Sequence, residues 1–374
     1  MATATTKPQD IEHMRTALLL AERGLGSVAP NPAVGCVITD AEGLVVGRGW
    51  TQPGGRPHAE TEALRMAGEK ARGGTAYVTL EPCSHHGKTP PCADALVEAG
   101  IARCVVALKD PFPEVNGRGI QRLQDAGIEV DVGLLGAEAE EANLGFLTRV
   151  REIRPMVTLK IASSLDGKIA TKSGDSKWIT GELARAHGHR LRATHDAILV
   201  GSGTVLADDP ELTCRLPGLE ERSPVRVVLD GRLRTLLSSK LVTRAKQVRT
   251  ILITNRAQDK KKRQAYVDAG VEALAVIGDE HGHPHPPYVM AALAELGLTR
   301  VLIEGGATLA AAYLKAGLVD RIHWFRAPGI IGGDGLASIS EIGLDRVEHM
   351  NRFERTALFA AGADTVEIYR KKSS

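Results

Sequence analysis

The chain has 374 residues, of which 43% are hydrophobic and 25% are charged, and its formal net charge is +2. A chain of this length is expected to form about two domains, and the near-neutral charge argues against a nucleic-acid partner that needs a broad basic surface. No stretch approaches the roughly 20 apolar residues of a membrane span and the N-terminus lacks a signal-like apolar core, so we expect a cytoplasmic protein without a membrane partner.

The first elements along the chain predict an α/β unit. Apolar residues recur at helical spacing from Ile11 to Ala21, and Asp10 is the expected N-cap of this helix. The elements expected next are strands at 33–39 and 44–49, a helix at 58–68, a strand at 76–80 and a helix at 92–100. Three of the cysteines, Cys36, Cys104 and Cys214, are expected to be buried as small hydrophobic residues.

Two short motifs in this unit predict a metal site. His58 and Glu60 form a His-x-Glu motif, and Cys83 follows a proline and precedes Cys92 by nine positions. One imidazole and two thiolates occupy three positions of a tetrahedral zinc ion and leave the fourth for water. Zinc lowers the pKa of its bound water to about 7, far below that of bulk water, and Glu60 then moves protons without ligating the metal. The sequence therefore predicts a catalytic zinc site.

Other interpretations of these residues exist. Two cysteines nine positions apart are also compatible with core thiols, or with a structural zinc site that has a fourth protein ligand. The candidates for such a ligand are His85 and His86, which lie between the two cysteines. A His-x-Glu motif followed by Pro-Cys-x-x-Cys is the signature of zinc nucleobase deaminases. The compact Pro-Cys-x-x-Cys form is expected of nucleoside and nucleic-acid deaminases, so the longer spacing here argues for a different class of deaminase.

With this longer spacing, the first half resembles the deaminase half of the bifunctional riboflavin-biosynthesis deaminase/reductase family (RibD). The resemblance implies that His85 and Lys88 contact the substrate. It also implies that Asn31, in Ala-Pro-Asn-Pro-Ala-Val-Gly, lies against the pyrimidine; a turn between two prolines is the alternative role of that asparagine. Thr51 stands where many relatives are expected to have a histidine.

A domain boundary is predicted where a helical segment gives way to Arg-Glu-Ile-Arg-Pro155. We therefore expect a deaminase domain over residues 1–152 and a second domain over 153–374. Strands in the second domain are expected at 156–161, 197–200, 225–229, 250–254, 301–304 and 322–325, alternating with helices. This alternation predicts an α/β domain with a largely parallel sheet.

Glycine-rich turns supply the nucleotide-binding signal of the second domain. Val-Leu-Ile-Glu-Gly-Gly is a strand that ends in two glycines, and a helix is expected from Thr308 to Gly317. Glycines allow phosphate to approach the backbone closely, and a helix start offers unpaired N–H donors. A second glycine turn, Gly201-Ser-Gly-Thr204, also follows an apolar strand. The G-x-G-x-x-G/A pattern of Rossmann nucleotide-binding folds must follow a strand. The one match to this pattern in the sequence follows a predicted helix, so a Rossmann fingerprint is not expected.

Further motifs strengthen the resemblance over the second half. Lys160-Ile-Ala-Ser-Ser-Leu-Asp-Gly-Lys, Ser176-Lys-Trp-Ile-Thr-Gly and Ile-Glu-Gly-Gly are similar to the reductase half of the same family, whose fold is dihydrofolate-reductase-like and whose cofactor is NADPH. The resemblance implies that the following residues contact the nucleotide: Ala162, Trp178, Thr204, Asp208, Gly306, Ala307, Thr308, Leu309, Ala310, Ala311 and Ala312. It implies that the following residues contact the sugar phosphate: Ser176, Arg192, Leu212, Arg215 and Glu304.

The resulting hypothesis is a two-step enzyme with one zinc ion per chain. A phosphorylated aminopyrimidine loses ammonia at the zinc site, and NADPH then reduces its ribosyl group to a ribityl chain. We also expect a homo-oligomer. The main alternative is a zinc deaminase whose second domain binds nucleotide only for regulation; a nucleic-acid deaminase is disfavoured by 3% aromatic content and low net charge. The basic run 260–263 and the His281, His283 and His285 tract are both expected to lie in loops.

Overall fold

The structure is a computed structural model that describes residues 8–85 and 90–372. Contacts divide the chain into two compact units between Ile153 and Arg154. Among the described residues, no helix combines the length and the apolar character that crossing a bilayer requires.

The first unit contains a single sheet with helices on both faces. Its strands are β1 (Gly35–Thr39), β2 (Val45–Trp50), β3 (Thr75–Val78), β4 (Arg103–Val106) and β5 (Glu129–Val132). Its helices are α1 (Pro8–Ala21), α2 (Ala59–Ala67), α3 (Cys92–Glu98), α4 (Arg118–Asp125), α5 (Gly136–Ala142) and α6 (Leu144–Glu152). The six elements predicted for this unit, which are α1, β1, β2, α2, β3 and α3, have the predicted type and nearly the predicted bounds.

The five strands follow the order β2-β1-β3-β4-β5, and the pairs β3–β4 and β4–β5 are parallel. One face of the sheet packs against α2 and α3, and the other packs against α1 and α5. Two glycines allow the helices to lie close to the sheet. A Cβ atom on Gly35 would lie 1.8 Å from the carbonyl oxygen of Ala17 in α1, and one on Gly47 would lie 2.2 Å from that of Ala63 in α2. Because these two glycines have no side chain, α1 and α2 can pack directly against the backbone of the sheet.

The prediction that Asp10 caps α1 is wrong. Helix α1 already includes Pro8, so Asp10 lies inside its first turn and is buried. Its carboxylate accepts hydrogen bonds from the hydroxyl of Tyr77 at 2.8 Å and from two guanidinium nitrogens of Arg103 at 2.9 and 3.0 Å. Partners on the sheet, which are distant in sequence, therefore outweigh the local capping preference of aspartate.

The second unit is built around a nine-stranded sheet. Its strands are β6 (Met156–Ser163), β7 (Lys168–Ala170), β8 (Ala197–Gly201), β9 (Val225–Leu229), β10 (Thr250–Asn255), β11 (Glu272–Val276), β12 (Arg300–Glu304), β13 (Arg321–Arg326), β14 (Leu336–Ala337), β15 (Phe353–Ala361) and β16 (Asp364–Lys371). Its helices are α7 (Glu182–Ala193), α8 (Ser202–Asp208), α9 (Lys240–Thr243), α10 (Lys260–Asp268), α11 (Pro286–Glu295) and α12 (Ala307–Lys315).

The large sheet has the order β11-β10-β9-β8-β12-β6-β13-β16-β15, while β7 pairs with β14 in a small ribbon. Every pair from β11 to β13 is parallel, and β16 and β15 are antiparallel additions. The central parallel strands β9, β8, β12 and β6 are largely apolar and buried, as a sheet covered on both faces requires. Because parallel strands end at one edge, the segments after β8, β9, β12 and β6 come together there.

Two smaller expectations have different outcomes. Cys36, Cys104 and Cys214 are buried free cysteines, which confirms their interpretation as small core residues. The basic run 260–263 does not lie in a loop, because it begins α10 and Asp259 caps that helix by accepting from the backbone N–H of Lys261 at 2.8 Å.

Candidate functional site: a metal centre and a nucleotide-sized cavity

The three predicted metal ligands of the first unit come together. His58 immediately precedes α2, Cys83 lies in the segment after β3, and Cys92 is the first residue of α3. The Nδ1 atom of His58 lies 3.6 Å from Sγ of Cys83 and 3.3 Å from Sγ of Cys92. All three ligand atoms lie within 4.8 Å of one another.

These separations fit a tetrahedral zinc ion. With Zn–S bonds of about 2.3 Å and Zn–N bonds of about 2.0 Å, a tetrahedron places the nitrogen about 3.5 Å from each sulfur. Within the described residues, these three form the one group with metal-ligand geometry. Among the described residues, these three donors leave one coordination position for a small molecule, which is typical of catalytic rather than structural zinc. Of the two candidates for a fourth ligand, His85 is not part of this group and His86 lies outside the described residues.

Hydrogen bonds lower the pKa of one of the two thiols and so favour its metal-binding form. Bonding with Cys92 lowers the pKa of the Cys83 thiol to about 4, and His58 acts in the same direction. Part of this interaction is a 3.3 Å hydrogen bond from the backbone N–H of Cys92 to the sulfur of Cys83. The start of α3 therefore favours the thiolate, which is the form that binds metal.

Glu60 lies beside the ligands and is 3% exposed. It belongs to the first turn of α2, two residues after His58. Burial raises the pKa of its carboxyl to about 7, although the neighbouring His58 opposes this shift. The carboxyl therefore lies close to the metal position, in surroundings that do not strongly favour its charged form.

Sequence reasoning missed Glu81, which fixes the segment that carries Cys83. Its buried carboxylate accepts hydrogen bonds from four backbone N–H groups at 2.9 to 3.3 Å, those of Asp110, Gly117, Gly119 and Ile120. A Cβ atom on Gly119 would lie 1.9 Å from the carbonyl oxygen of Pro82, so this loop packs directly on the Pro-Cys motif. The signal available in the sequence was a glutamate next to Pro-Cys with no evident charge partner.

The predicted pyrimidine contacts have different surroundings. The side-chain amide of Asn31 donates to the carbonyl oxygen of Gly55 at 2.8 Å and thereby joins two loops. His85 is part-buried, lies 4.0 Å from a carboxylate oxygen of Glu114, and has a buried Nδ1 without a described hydrogen-bond partner. Lys88 lies outside the described residues. Thr51, in place of the expected histidine, is buried and accepts from the backbone N–H of Val34 at 3.0 Å.

The second unit contains a cavity of about 990 Å³ at the carboxyl edge of its parallel strands. This is the upper end of the usual range for ligand pockets, about 300–1,000 Å³. Most of the residues predicted to bind nucleotide or sugar phosphate line it: Ala162, Ser176, Arg192, Thr204, Asp208, Leu212, Glu304, Gly306, Ala307, Thr308, Leu309, Ala310 and Ala312. The cavity therefore unites residues from five separate segments of the chain.

The two glycine turns lie side by side in this cavity. Gly305 and Gly306 have φ angles of +89° and +86°, which residues with a Cβ atom rarely adopt. A Cβ on Gly305 would lie 3.4 Å from the hydroxyl of Thr204. Since β8 and β12 are neighbours, the turns that follow them form one backbone surface lined by small residues. Such a surface suits the close approach of phosphate groups.

A buried ion pair marks another part of the cavity. Arg192 makes a two-pronged contact with Glu304, with N···O distances of 2.7 and 2.8 Å, and also donates to the carbonyl oxygen of Thr213. Lys160 lies 3.8 Å from the same carboxylate. Burial opposes ionisation, but Arg192 and then Lys160 lower the pKa of Glu304 to about 2. Glu304 is thus a fixed carboxylate, and much of the positive charge of Arg192 is compensated within the protein.

Three predicted contacts do not line this cavity in the described structure. Ala311 is buried, and Trp178 is exposed with the guanidinium of Arg185 4.7 Å from its ring centroid. Arg215 is exposed. Its backbone N–H donates to Nδ1 of His189 at 3.2 Å.

His189 is a second residue that sequence reasoning missed. Burial and then the charges of Arg192 and Arg215 lower the pKa of His189 to about 4. The imidazole is therefore neutral at pH 7, and its proton lies on Nε2 because Nδ1 accepts from Arg215. The spacing of His189 and Arg192 on α7, which places both on one helix face, was the signal that could have found it.

Comparisons with protein families agree with this two-part organisation. Residues 7–108 match the family described as the cytidine and deoxycytidylate deaminase zinc-binding region. Residues 155–366 match the RibD C-terminal domain. The fold class predicted from the sequence, two α/β domains of which the first is cytidine-deaminase-like, is confirmed.

Individual relatives are similar over nearly the whole chain. The riboflavin biosynthesis protein RibD of Escherichia coli is 43% identical over 367 residues, covering 95% of this chain and 98% of the relative. Among solved structures, Acinetobacter baumannii RibD superposes with a TM-score of 0.87 at 39% identity, over 98% of this chain and 99% of the other. A diaminohydroxyphosphoribosylaminopyrimidine deaminase/5-amino-6-(5-phosphoribosylamino)uracil reductase from Thermotoga maritima gives a TM-score of 0.84 at 37% identity, over 97% and 99% of the two chains.

Proposed function

The chain belongs to the RibD family of riboflavin-biosynthesis proteins, and from this premise we propose that each unit carries one activity of a two-step enzyme. The protein is a deaminase and a reductase. The first step removes an amino group, as ammonia, from 2,5-diamino-6-(5-phosphoribosylamino)pyrimidin-4(3H)-one. The second converts the ribosyl group to a ribityl chain and gives 5-amino-6-(5-phosphoribitylamino)uracil.

In the deaminase step, His58, Cys83 and Cys92 hold zinc. When bound, zinc activates a water molecule as a nucleophile at neutral pH. Glu60 takes the proton of this water and delivers it to the leaving amine; its position in the first turn of α2, beside all three ligands, supports this role. Asn31, His85 and Lys88 hold the pyrimidine. Glu81 keeps Cys83 in place by holding the loop 110–120.

In the reductase step, the glycine turns hold the cofactor's phosphates, and the nucleotide is contacted by Ala162, Thr204, Asp208, the segment 306–310 and Ala312, which all line the cavity. We propose that the cofactor is NADPH, which when bound supplies a hydride to the anomeric carbon of the ribose. Ser176, Leu212 and Glu304 hold the sugar, with Arg192 fixing the carboxylate of Glu304. Arg215 binds the substrate phosphate, since its charge has no carboxylate partner comparable to that of Arg192 among the described contacts.

The observation that carries the proposal is the presence of a metal-ligand cluster and a dinucleotide-sized cavity, each in its own unit of one chain. Purified full-length protein with the diaminopyrimidine substrate should release ammonia and then oxidise NADPH. If ammonia is released but NADPH is not oxidised even with the deaminated intermediate, the second unit is regulatory. If single-stranded nucleic acid is deaminated and the free pyrimidine is not, the substrate class is wrong.

Three further parts of the proposal concern organisation. We assign the deaminase to residues 1–152 and the reductase to residues 153–374; the contact division between Ile153 and Arg154 supports this assignment. We further propose that the protein is a cytoplasmic homo-oligomer. Light scattering during size-exclusion chromatography and fractionation of the source cells test these two statements.

A further inference from the structure

Two arginines that the proposed function does not use lie on the wall of the large cavity. Arg232 and Arg234 both line it and follow directly after β9. A guanidinium nitrogen of Arg234 donates to the hydroxyl of Ser202 at 2.8 Å, which ties this arginine to the glycine turn after β8. Arg232 is exposed and contacts the carbonyl oxygen of His281 at 3.4 Å.

The order of the strands shows which end of a dinucleotide these arginines face. The glycine turns follow β8 and β12, in the middle of the run β9-β8-β12-β6. Glu304 ends β12 and pairs in register with Lys160 of β6, so the sugar-binding side lies towards β6. The redox end of the cofactor must reach that side. With its pyrophosphate on the glycine turns, the cofactor then extends its adenosine half towards β9, where the two arginines are.

Two carboxylates near these arginines, those of Asp230 and Asp279, are already engaged within the protein. In dinucleotide sites, a carboxylate at the end of a strand binds the ribose 2′-hydroxyl of NAD, whereas an arginine accommodates the 2′-phosphate of NADP. Asp230 is the first residue after β9, but its side chain is fully buried and accepts from the backbone N–H of Thr235 at 2.6 Å. The chain therefore directs its carboxylate inward and its arginines towards the cavity.

A second carboxylate near these arginines, that of Asp279, is hydrogen-bonded within its own loop. One carboxylate oxygen accepts from the backbone N–H groups of His281 and His283, and the other lies 3.3 Å from the ring nitrogen Nδ1 of His283. The expectation that this histidine tract lies in a loop agrees with the structure, and His283 lines the cavity. The region thus presents two uncompensated arginines beside a carboxylate that is already hydrogen-bonded.

We propose that Arg234, assisted by Arg232, binds the 2′-phosphate of NADPH and thereby selects it over NADH. This inference rests on the proposed reductase function and names the residues that give it cofactor specificity. A guanidinium suits a phosphate because its planar fork donates two parallel charge-assisted hydrogen bonds. Arg234 is the stronger candidate since Ser202 orients it at the glycine turn.

Calorimetric binding of two cofactor fragments to the full chain tests the inference without relying on turnover. Adenosine 2′,5′-bisphosphate carries the 2′-phosphate and AMP lacks it. Wild-type protein should bind the bisphosphate more tightly by roughly 10- to 100-fold, the scale of a charge-assisted phosphate contact. Arg234→Ala should remove most of this preference while AMP affinity stays the same. Arg234→Lys, which keeps the charge but not the fork, should give an intermediate preference.

The matched control is Arg346→Ala, because Arg346 lies in the same unit, pairs with Glu348 at 2.9 Å and does not line the cavity. It should leave both affinities unchanged. The inference is overturned if Arg234→Ala keeps the preference for the bisphosphate, or if both fragments lose affinity equally, which would mean that Arg234 only supports the glycine turn. Wild-type turnover with NADPH and the deaminated substrate checks the reductase function separately, so failure of one is distinguishable from failure of the other.

Discussion

The metal centre takes its ligands from a single stretch of chain, His58 to Cys92, whereas the cavity of the second unit is lined by residues that range from Leu159 to Ser340. The metal centre is compact and its ligands are held by two helix starts and one loop. The cavity is large, and its charged residues come from the ends of several strands and from helix α7. The metal centre therefore depends on a few residues at fixed positions, whereas binding in the cavity is distributed over many contacts.

This difference in construction predicts a difference in sensitivity. Removing one component of the metal centre should abolish the deaminase, because no other group supplies the same chemistry. Removing one residue of the cavity should weaken binding in part, because its neighbours remain. The four experiments below test this contrast, beginning with the largest expected effect.

Exhaustive chelation of zinc should reduce deamination to the background of the assay. Without the metal, the pKa of the attacking water returns from about 7 to the much higher value of bulk water, so little nucleophile remains at neutral pH. Ammonia release measures this effect, and NADPH oxidation with the deaminated intermediate is the control that should not change. Full deamination after verified metal loss would contradict the assignment of His58, Cys83 and Cys92.

Glu60→Gln should lower the deamination rate by roughly 10²- to 10⁴-fold, the usual contribution of a positioned acid or base. Zinc content, measured by atomic absorption, should stay at one ion per chain because Glu60 is not a ligand. Reduction of the deaminated intermediate should be unaffected. A variant that loses its zinc would show instead that the carboxylate is structural.

Arg215→Ala should raise KM for the phosphorylated intermediate by roughly 10- to 100-fold, since a charge-assisted hydrogen bond to phosphate contributes about 1.5–3 kcal/mol. The value of kcat and the affinity for NADPH should change little. The dephosphorylated intermediate is the matched comparison. If its use is impaired as severely as that of the phosphate ester, Arg215 is not the phosphate anchor.

His189→Gln should have the smallest effect, a rise in KM of about 2- to 10-fold, because one neutral hydrogen bond is lost. His189 acts through Arg215, whose backbone N–H it accepts at 3.2 Å. We expect kcat to stay constant and the dephosphorylated intermediate to be unaffected. A fall in kcat with both substrates would assign His189 a structural role instead.

The accuracy of the sequence predictions follows the same contrast. In the metal centre, a helix start and a Pro-Cys motif are local features, so the positions of His58, Glu60, Cys83 and Cys92 followed from short patterns. In the cavity, the glycine turns were recognisable because each follows its own strand. Arg232 and Arg234 were not recognised, since an arginine after a strand is most often a solvated charge until its neighbouring strands are known.

Some local preferences were overridden by partners distant in sequence. Asp10 was expected to cap a helix, but Arg103 and Tyr77 bind its carboxylate on the sheet. The pairing of Arg192 with Glu304, more than one hundred positions away, also depends on the tertiary structure and has no signal in the local sequence. For Asp10, leaving a buried carboxylate without a charged partner would cost about 3–5 kcal/mol, which exceeds the roughly 1 kcal/mol of a helix cap.

The sequence by itself determined the strand and helix order, the zinc ligand types and the two glycine turns, because periodicity, capping and motif spacing are properties of neighbouring residues. Tertiary structure alone decided which charges face a ligand and which face one another. Glu81 anchors the Cys83 segment only because the loop that contains Gly119 packs against it. The carboxylate of Asp230 points inward, whereas the two arginines that follow it point towards the cavity, and this arrangement also depends on how the loops pack together. Such choices depend on burial and on hydrogen-bond partners that the order of residues does not reveal.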